Sequence, residues 1–155
     1  MTVYLVCVGK LKEAYWRDAV AEYQKRLSRF CRLEIVEVAE SKNVSRAAKD
    51  VERAVAEEGE RILAALKGNV VVLDLAGREA TSEELAAYVK GAVDRGEVLT
   101  FVIGGSDGLS PAVKARASYT VRFGKVTLPH QLCRVVVAEQ LYRAFCINAG
   151  VLYHK

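Results

Sequence analysis

"VVVLDL", residues 70–75, is a nearly continuous apolar run rich in β-branched residues. It is too short for a helix and too apolar for a half-exposed strand, so it reads as a central strand of a parallel sheet covered on both faces. Upstream, residues 45–67 read as a helix with Val51, Val55, Ile62, Leu63 and Leu66 on its apolar side, ended by Gly68-Asn69. Downstream, residues 76–80 read as a connection. Thr81 and Glu84 then form a capping box that opens a helix to about Asp94, stopped by Arg95-Gly96. A second buried strand follows, VLTFVI at 98–103. Ser110-Pro111 caps and starts a short helix, 118–122 alternates like a strand, and 131–148 is strongly helical. At the other end, 2–8 and 33–39 read as strands flanking a helix over 13–30, whose stripe of Trp16, Val20, Tyr23, Leu27 and Phe30 is core. Strands alternating with helices specify an α/β fold, a mostly parallel sheet flanked by helices, in one domain spanning 1–155.

Composition bounds the function. The 155 residues are 52% hydrophobic and 27% charged, as expected of a globular domain able to bury its own core. No apolar run approaches the ~20 residues of a membrane span, and the opening reads as a strand rather than a signal peptide, so the expected location is cytoplasmic. Cys7, Cys31, Cys133 and Cys146 form no CxxC pair, and His130 and His154 are the only histidines, so no metal site is expected. Charge is uneven. Residues 10–32 hold seven Lys/Arg against three Asp/Glu, residues 33–113 nine against fifteen, and residues 114–155 seven against one. If the basic ends meet, they make a face suited to a polyanion; a solvated surface of mixed charge is the other reading.

In an open α/β sheet, ligands sit at the carboxyl ends of strands. Three such ends stand out: after Leu73-Asp74-Leu75, after Val102-Ile103 in "FVIGGSDGLSP" (101–111), and at Phe123–His130. IGGSDG is neither GxGxxG nor a P-loop, which disfavours a dinucleotide or triphosphate. A structural turn explains the glycines, and so does main chain approaching a flat ring.

VVVLDLAGRE (70–79), FVIGGSDGLSP (101–111), VTLPHQLCRVVVAEQLYRAF (126–145) and the ending YHK (153–155), together with VCVGKLKEAYWRDAVAEYQKRL near the start, resemble the RlmH family of SPOUT-class RNA methyltransferases. The resemblance covers essentially the whole chain. It implies a C-terminal trefoil knot, which general topology rules would not suggest. It also implies a homodimer, and S-adenosylmethionine held by Leu73, Gly105 and the stretch Gly124, Lys125, Val126, Thr127, Leu128 and Pro129. The implied reaction is methylation of ring nitrogen 3 of a pseudouridine in large-subunit ribosomal RNA, on the assembled ribosome. A SPOUT enzyme for another RNA such as tRNA, or a non-catalytic ribosome-binding protein of the same fold, are the alternatives.

The resemblance places Tyr153 and His154 on the substrate side, where a histidine near neutral pKa can accept a proton. Where many relatives carry Pro before this Tyr, this chain has Leu152. Arg143 is the third candidate. It lies four residues after Glu139, so it is read either as an intrahelical ion pair or as an RNA phosphate contact. His130 and Arg134 are further polar candidates, and Asp107 either forms the turn or faces the cofactor's positive charge. Val135, Val136, Val137, Ala138, Leu141 and Ala144 wrap much of the last helix, and apolar residues on more than one side call for burial on more than one side, as in a dimer.

Overall fold

The computed structural model describes residues 1–42 and 45–155. In chain order the elements are β1 (Thr2–Val8), α1 (Ala14–Leu27), β2 (Arg32–Val38), α2 (Ala48–Ala65), β3 (Asn69–Glu79), α3 (Ser82–Asp94), β4 (Leu99–Ile103), α4 (Pro111–Ala115), β5 (Tyr119–Arg122) and α5 (His130–Asn148). The sheet order is β2-β1-β4-β3-β5 and every pair is parallel. The expected α/β architecture is what forms.

The apolar runs predict their positions because a pleated strand sends alternate side chains to opposite faces. Val3, Leu5 and Cys7 of β1, Val71 of β3 and Leu99, Phe101 and Ile103 of β4 face one layer, with Leu85, Val89, Val137 and Leu141 from the helices. Val6, Val8, Val70, Val72 and Val102 face the other, against Ile62 of α2 and Val113 of α4. On the first side α5 packs against both α1 and α3. Thr100 is the polar residue in buried β4, and its hydroxyl donates to the Lys67 carbonyl at 2.6 Å.

Several boundaries differ from expectation: the helix read over 13–30 closes at Leu27, and the one read over 45–67 opens only at Ala48. The helix over 45–67 ends at Ala65, because Leu66 is already extended. The supposed connection 76–80 mostly continues β3, which runs to Glu79 and shifts register against β5 between Leu73 and Arg78. Gly77 permits this crossing. A methyl there would lie 2.9 Å from the Asp74 carbonyl and from the Val121 backbone. The Thr81–Glu84 capping box forms in both directions, and Ser110 caps α4 with Pro111 in its first turn.

Candidate active site

The carboxyl ends of β3, β4 and β5 converge on a cavity of about 770 Å³, within the range of small-molecule sites. Apolar side chains from the strand ends (Leu73, Ile103, Val121) and Leu128 form one part of its wall. The loop 104–109 and the segment after β5 line the rest, where Gly104, Gly105, Gly108 and Gly124 have only main chain to offer.

The glycine loop closes on itself: Gly105 and Gly108 form an isolated bridge, with the Gly108 N–H donating to the Gly105 carbonyl at 3.1 Å. A methyl on Gly104 would meet Leu109 at 2.9 Å and the Gly108 backbone at 3.0 Å. One on Gly105 would press on Val8 at 3.3 Å and on the buried Glu58 carboxylate at 3.4 Å. The glycines therefore let the loop fold tightly against β1 and α2, and the backbone so compressed presents itself to the cavity. Glu58 accepts the Ser41 N–H at 3.1 Å, and burial pushes its carboxyl above the ordinary value. Gly124 meets a different demand. Its φ of 102° is a conformation side chains rarely adopt, and it turns the chain out of β5 along the cavity.

Of the residues expected to hold a cofactor, Leu73, Gly105, Gly124, Val126, Thr127, Leu128 and Pro129 line this cavity. Lys125 is exposed and is not part of the wall. Pro129 is the N-cap position of α5, where its missing N–H costs nothing, and His130 and Cys133 of the first turn also face the cavity. Burial, with the Arg134 charge beside it, holds His130 below the ordinary imidazole range against a weaker opposing pull from Glu40. Burial pushes the Cys133 thiol up to about 11, so it stays protonated at neutral pH.

The charges at the cavity are mostly paired. Lys114 lies 2.8 Å from Asp74. Burial raises the Asp74 carboxyl, but Lys114 and the Ala76 N–H outweigh it, and the net position is below the ordinary value. Asp107 is bound by Arg46 at 2.8 Å, so its turn role is joined to an ion pair. Arg122 reaches the Leu75 carbonyl and Glu79, each at 3.3 Å, and its buried Nε has no partner among the described residues. Lys114, Arg122 and Asp74 escaped the sequence reading as site residues. Their signal was slight: Asp74 interrupts an apolar strand and Arg122 ends another.

The other expected site residues gather elsewhere. Arg143, Tyr153 and His154 stand at the far half of α5, and none of them lines the cavity. Arg143 is thirteen residues past His130, roughly 20 Å along the helix. There Glu139 pairs with Arg143 in the intrahelical way and accepts the Tyr153 hydroxyl at 3.1 Å. Burial and then Glu139 push the Tyr153 phenol up to about 12. His154 Nδ1 lies 3.2 Å from Arg143 and its Nε2 lies 2.6 Å from Glu83 of α3. Since Arg143 can only donate, a neutral ring here accepts at Nδ1 and donates from Nε2. Tyr142, tilted against Tyr23 and Phe30 and edge-on to Tyr153, accepts from Arg29 and joins this end to α1.

Arg134 lies between the two ends and is a structural cation. It is 1% exposed, pairs with Glu37 at 2.7 Å and donates to the Val8 and Gly9 carbonyls. All four cysteines are free, no grouping of possible metal ligands occurs among the described residues, and no helix among them is long and apolar enough to cross a membrane.

A family model described as "Predicted SPOUT methyltransferase" matches residues 1–154. A protein of Levilactobacillus brevis called "Ribosomal RNA large subunit methyltransferase H" is 53% identical over 161 residues, covering all of both chains. Proteins of the same name from Bifidobacterium adolescentis and Clostridium acetobutylicum are each 49% identical, again over both whole chains. Among solved structures, a methylase family protein from Neisseria gonorrhoeae aligns with a TM-score of 0.54 at 15% identity, covering 90% of this chain and 81% of its own, a likeness of fold alone. With three strand ends closing around one cavity, a family model matched over residues 1–154 and relatives about half identical over the whole chain, the protein belongs to the SPOUT methyltransferase family.

Proposed function

We propose that the chain uses S-adenosylmethionine to methylate ring nitrogen 3 of a pseudouridine in large-subunit ribosomal RNA, acting on the assembled ribosome as a cytoplasmic homodimer whose chains carry the trefoil knot of the family resemblance. The observation that carries the reading is the cavity itself. Its volume, apolar wall, main-chain edges and charged rim suit a nucleoside bearing a charged amino-acid arm. Full-length relatives named for ribosomal RNA methylation support the substrate class.

Leu73, Gly105, Gly124 and Val126–Pro129 would hold the cofactor, with Lys125 at their outer edge. When bound, it supplies a methyl group activated on a sulfonium. The protein's part is then alignment and management of one proton. His130, kept neutral by burial and by Arg134, adds no positive charge to a site built for a cation. Tyr153 keeps its proton at neutral pH and so acts as a donor. His154 has both ring nitrogens engaged, and in the neutral tautomer only Nδ1 has a lone pair, so it accepts a proton from the pyrimidine there once the contact to Arg143 opens.

That these residues lie outside the cavity wall supports a mechanism that needs the homodimer. Arg143, Tyr153 and His154 would serve the cavity of a second copy, brought there by the apolar side of α5 left half-exposed at Leu132, Val135 and Val136. The basic surface of α1 and the tail would face phosphates.

The test is methyl transfer from radiolabelled S-adenosylmethionine to ribosomes lacking the modification, alongside free ribosomal RNA and tRNA. Label in ribosomes alone, mapped to nitrogen 3 of a pseudouridine, is the expected result. Label in tRNA, or in nothing, overturns the reading.

A further inference from the structure

Arg122 sits oddly at the cavity. It is the last residue of β5, and its side chain crosses to the Leu75–Glu79 stretch of β3. Both contacts are 3.3 Å, long for a guanidinium, and the Glu79 carboxylate is half-exposed, where an ion pair contributes little. The buried Nε–H has no acceptor among the described residues. A buried donor without a partner is costly, and such groups in native proteins call for an explanation. The neighbouring cation is different: Lys114 is already neutralised by Asp74 at 2.8 Å.

Nε–H and Nη2 form one edge of the guanidinium, the edge on which a carboxylate takes two parallel hydrogen bonds. With the side chain swung off β3, that edge would open to the cavity, give the orphan donor an acceptor and forfeit only the two long contacts to Leu75 and Glu79. We infer that Arg122 is the seat for the α-carboxylate of the cofactor's amino-acid arm, which places that arm at the β3–β5 side of the cavity. This rests on the cofactor reading above.

Two probes separate the inference from that reading. S-adenosylhomocysteine carries the amino-acid arm, and 5′-methylthioadenosine has the same adenosine and thioether without it. Calorimetry on the purified protein compares both. The wild-type chain should bind S-adenosylhomocysteine more tightly. Arg122→Gln should narrow that preference by about tenfold, the loss of one charge-assisted pair, while methylthioadenosine binding stays within about twofold. Arg122→Lys, which keeps the charge without the fork, should fall between and covers the case that the Gln variant does not fold. If both ligands weaken in parallel in the Arg122 variants, Arg122 merely shapes the wall and the inference fails. It also fails if the preference is lost in Lys114→Gln instead. If the wild-type protein binds neither ligand, the cofactor reading falls first, and the inference with it.

Discussion

The two ends of α5 are built from opposite materials. Its first turn borders a cavity lined by apolar side chains and glycines, of which Gly104 leaves no room for a methyl and Gly105 little. Its last turns carry a knot of charged and aromatic side chains from three parts of the chain, with Glu139, Arg143, Tyr153, His154 and Glu83 bonded to one another. The first end is complete within one chain because backbone geometry is local and sheet-determined. The second is a set of side chains hydrogen-bonded to one another, and none of Arg143, Tyr153 and His154 lines that cavity. What the contrast teaches is that one helix can border two unlike environments, and the reading proposed above assigns cofactor binding to the first and proton handling to the second, joined by a second copy of the chain.

The comparison can be broken most severely at its middle. Arg134→Met removes the buried cation that ties α5 to β1 and β2, leaving the Val8 and Gly9 carbonyls without their donor. Urea denaturation should show a loss of about 3 kcal/mol, with both ends of α5 affected together. His154→Ala should lower kcat by about a hundredfold while S-adenosylhomocysteine affinity is unchanged. Normal turnover would remove His154 from the chemistry. Gly105→Val should do the reverse, weakening that ligand by about tenfold through crowding against Val8 and Glu58, with the dimer intact by sedimentation. Unchanged affinity would count against this cavity.

Those two variants together sharpen the division of labour. Mixed and re-equilibrated, and assayed at a cofactor concentration well below saturation where each alone runs at about a tenth of wild type or less, they should reach roughly a quarter of wild-type activity, because half the dimers then pair a sound cavity with a sound tail from the other chain. No recovery would place both in one chain's site. The smallest expected effect comes from pH. The His130 imidazole sits below its unfolded value of 6.5, so the stability it contributes is fully present above that value and is lost as pH falls through the lower folded one. Between pH 7 and 5 the melting temperature of the wild-type chain should fall by a few degrees more than that of His130→Asn.

Much of the fold was legible because burial on both faces leaves a plain mark. VVVLDL and VLTFVI had no polar side to offer water, and Thr81-x-x-Glu84 and Ser110-Pro111 are local hydrogen-bonding devices that need no distant partner. The extension of β3 to Glu79 was not legible, since AGRE has the composition of a turn and becomes a strand only because β5 lies beside it and Gly77 allows the approach. The segments that build the cavity were recognised as strand ends. Arg122 and Lys114 were not, because a lysine or arginine at a strand or helix end reads as surface until its neighbours are known.

The sequence by itself determined the layered parallel sheet, the capped helices and the three strand ends that must open on one edge, because hydrophobic periodicity and backbone preference act between near neighbours. Only the tertiary structure decided that Arg134 is a buried strut, that Gly104 and Gly105 are glycines to fit protein rather than to clear a ligand's path, and that Tyr153 and His154 gather on Glu139, Arg143 and Glu83 outside the cavity wall. Those facts depend on contacts between residues up to 126 positions apart, and no local pattern records which side chain a distant segment will meet.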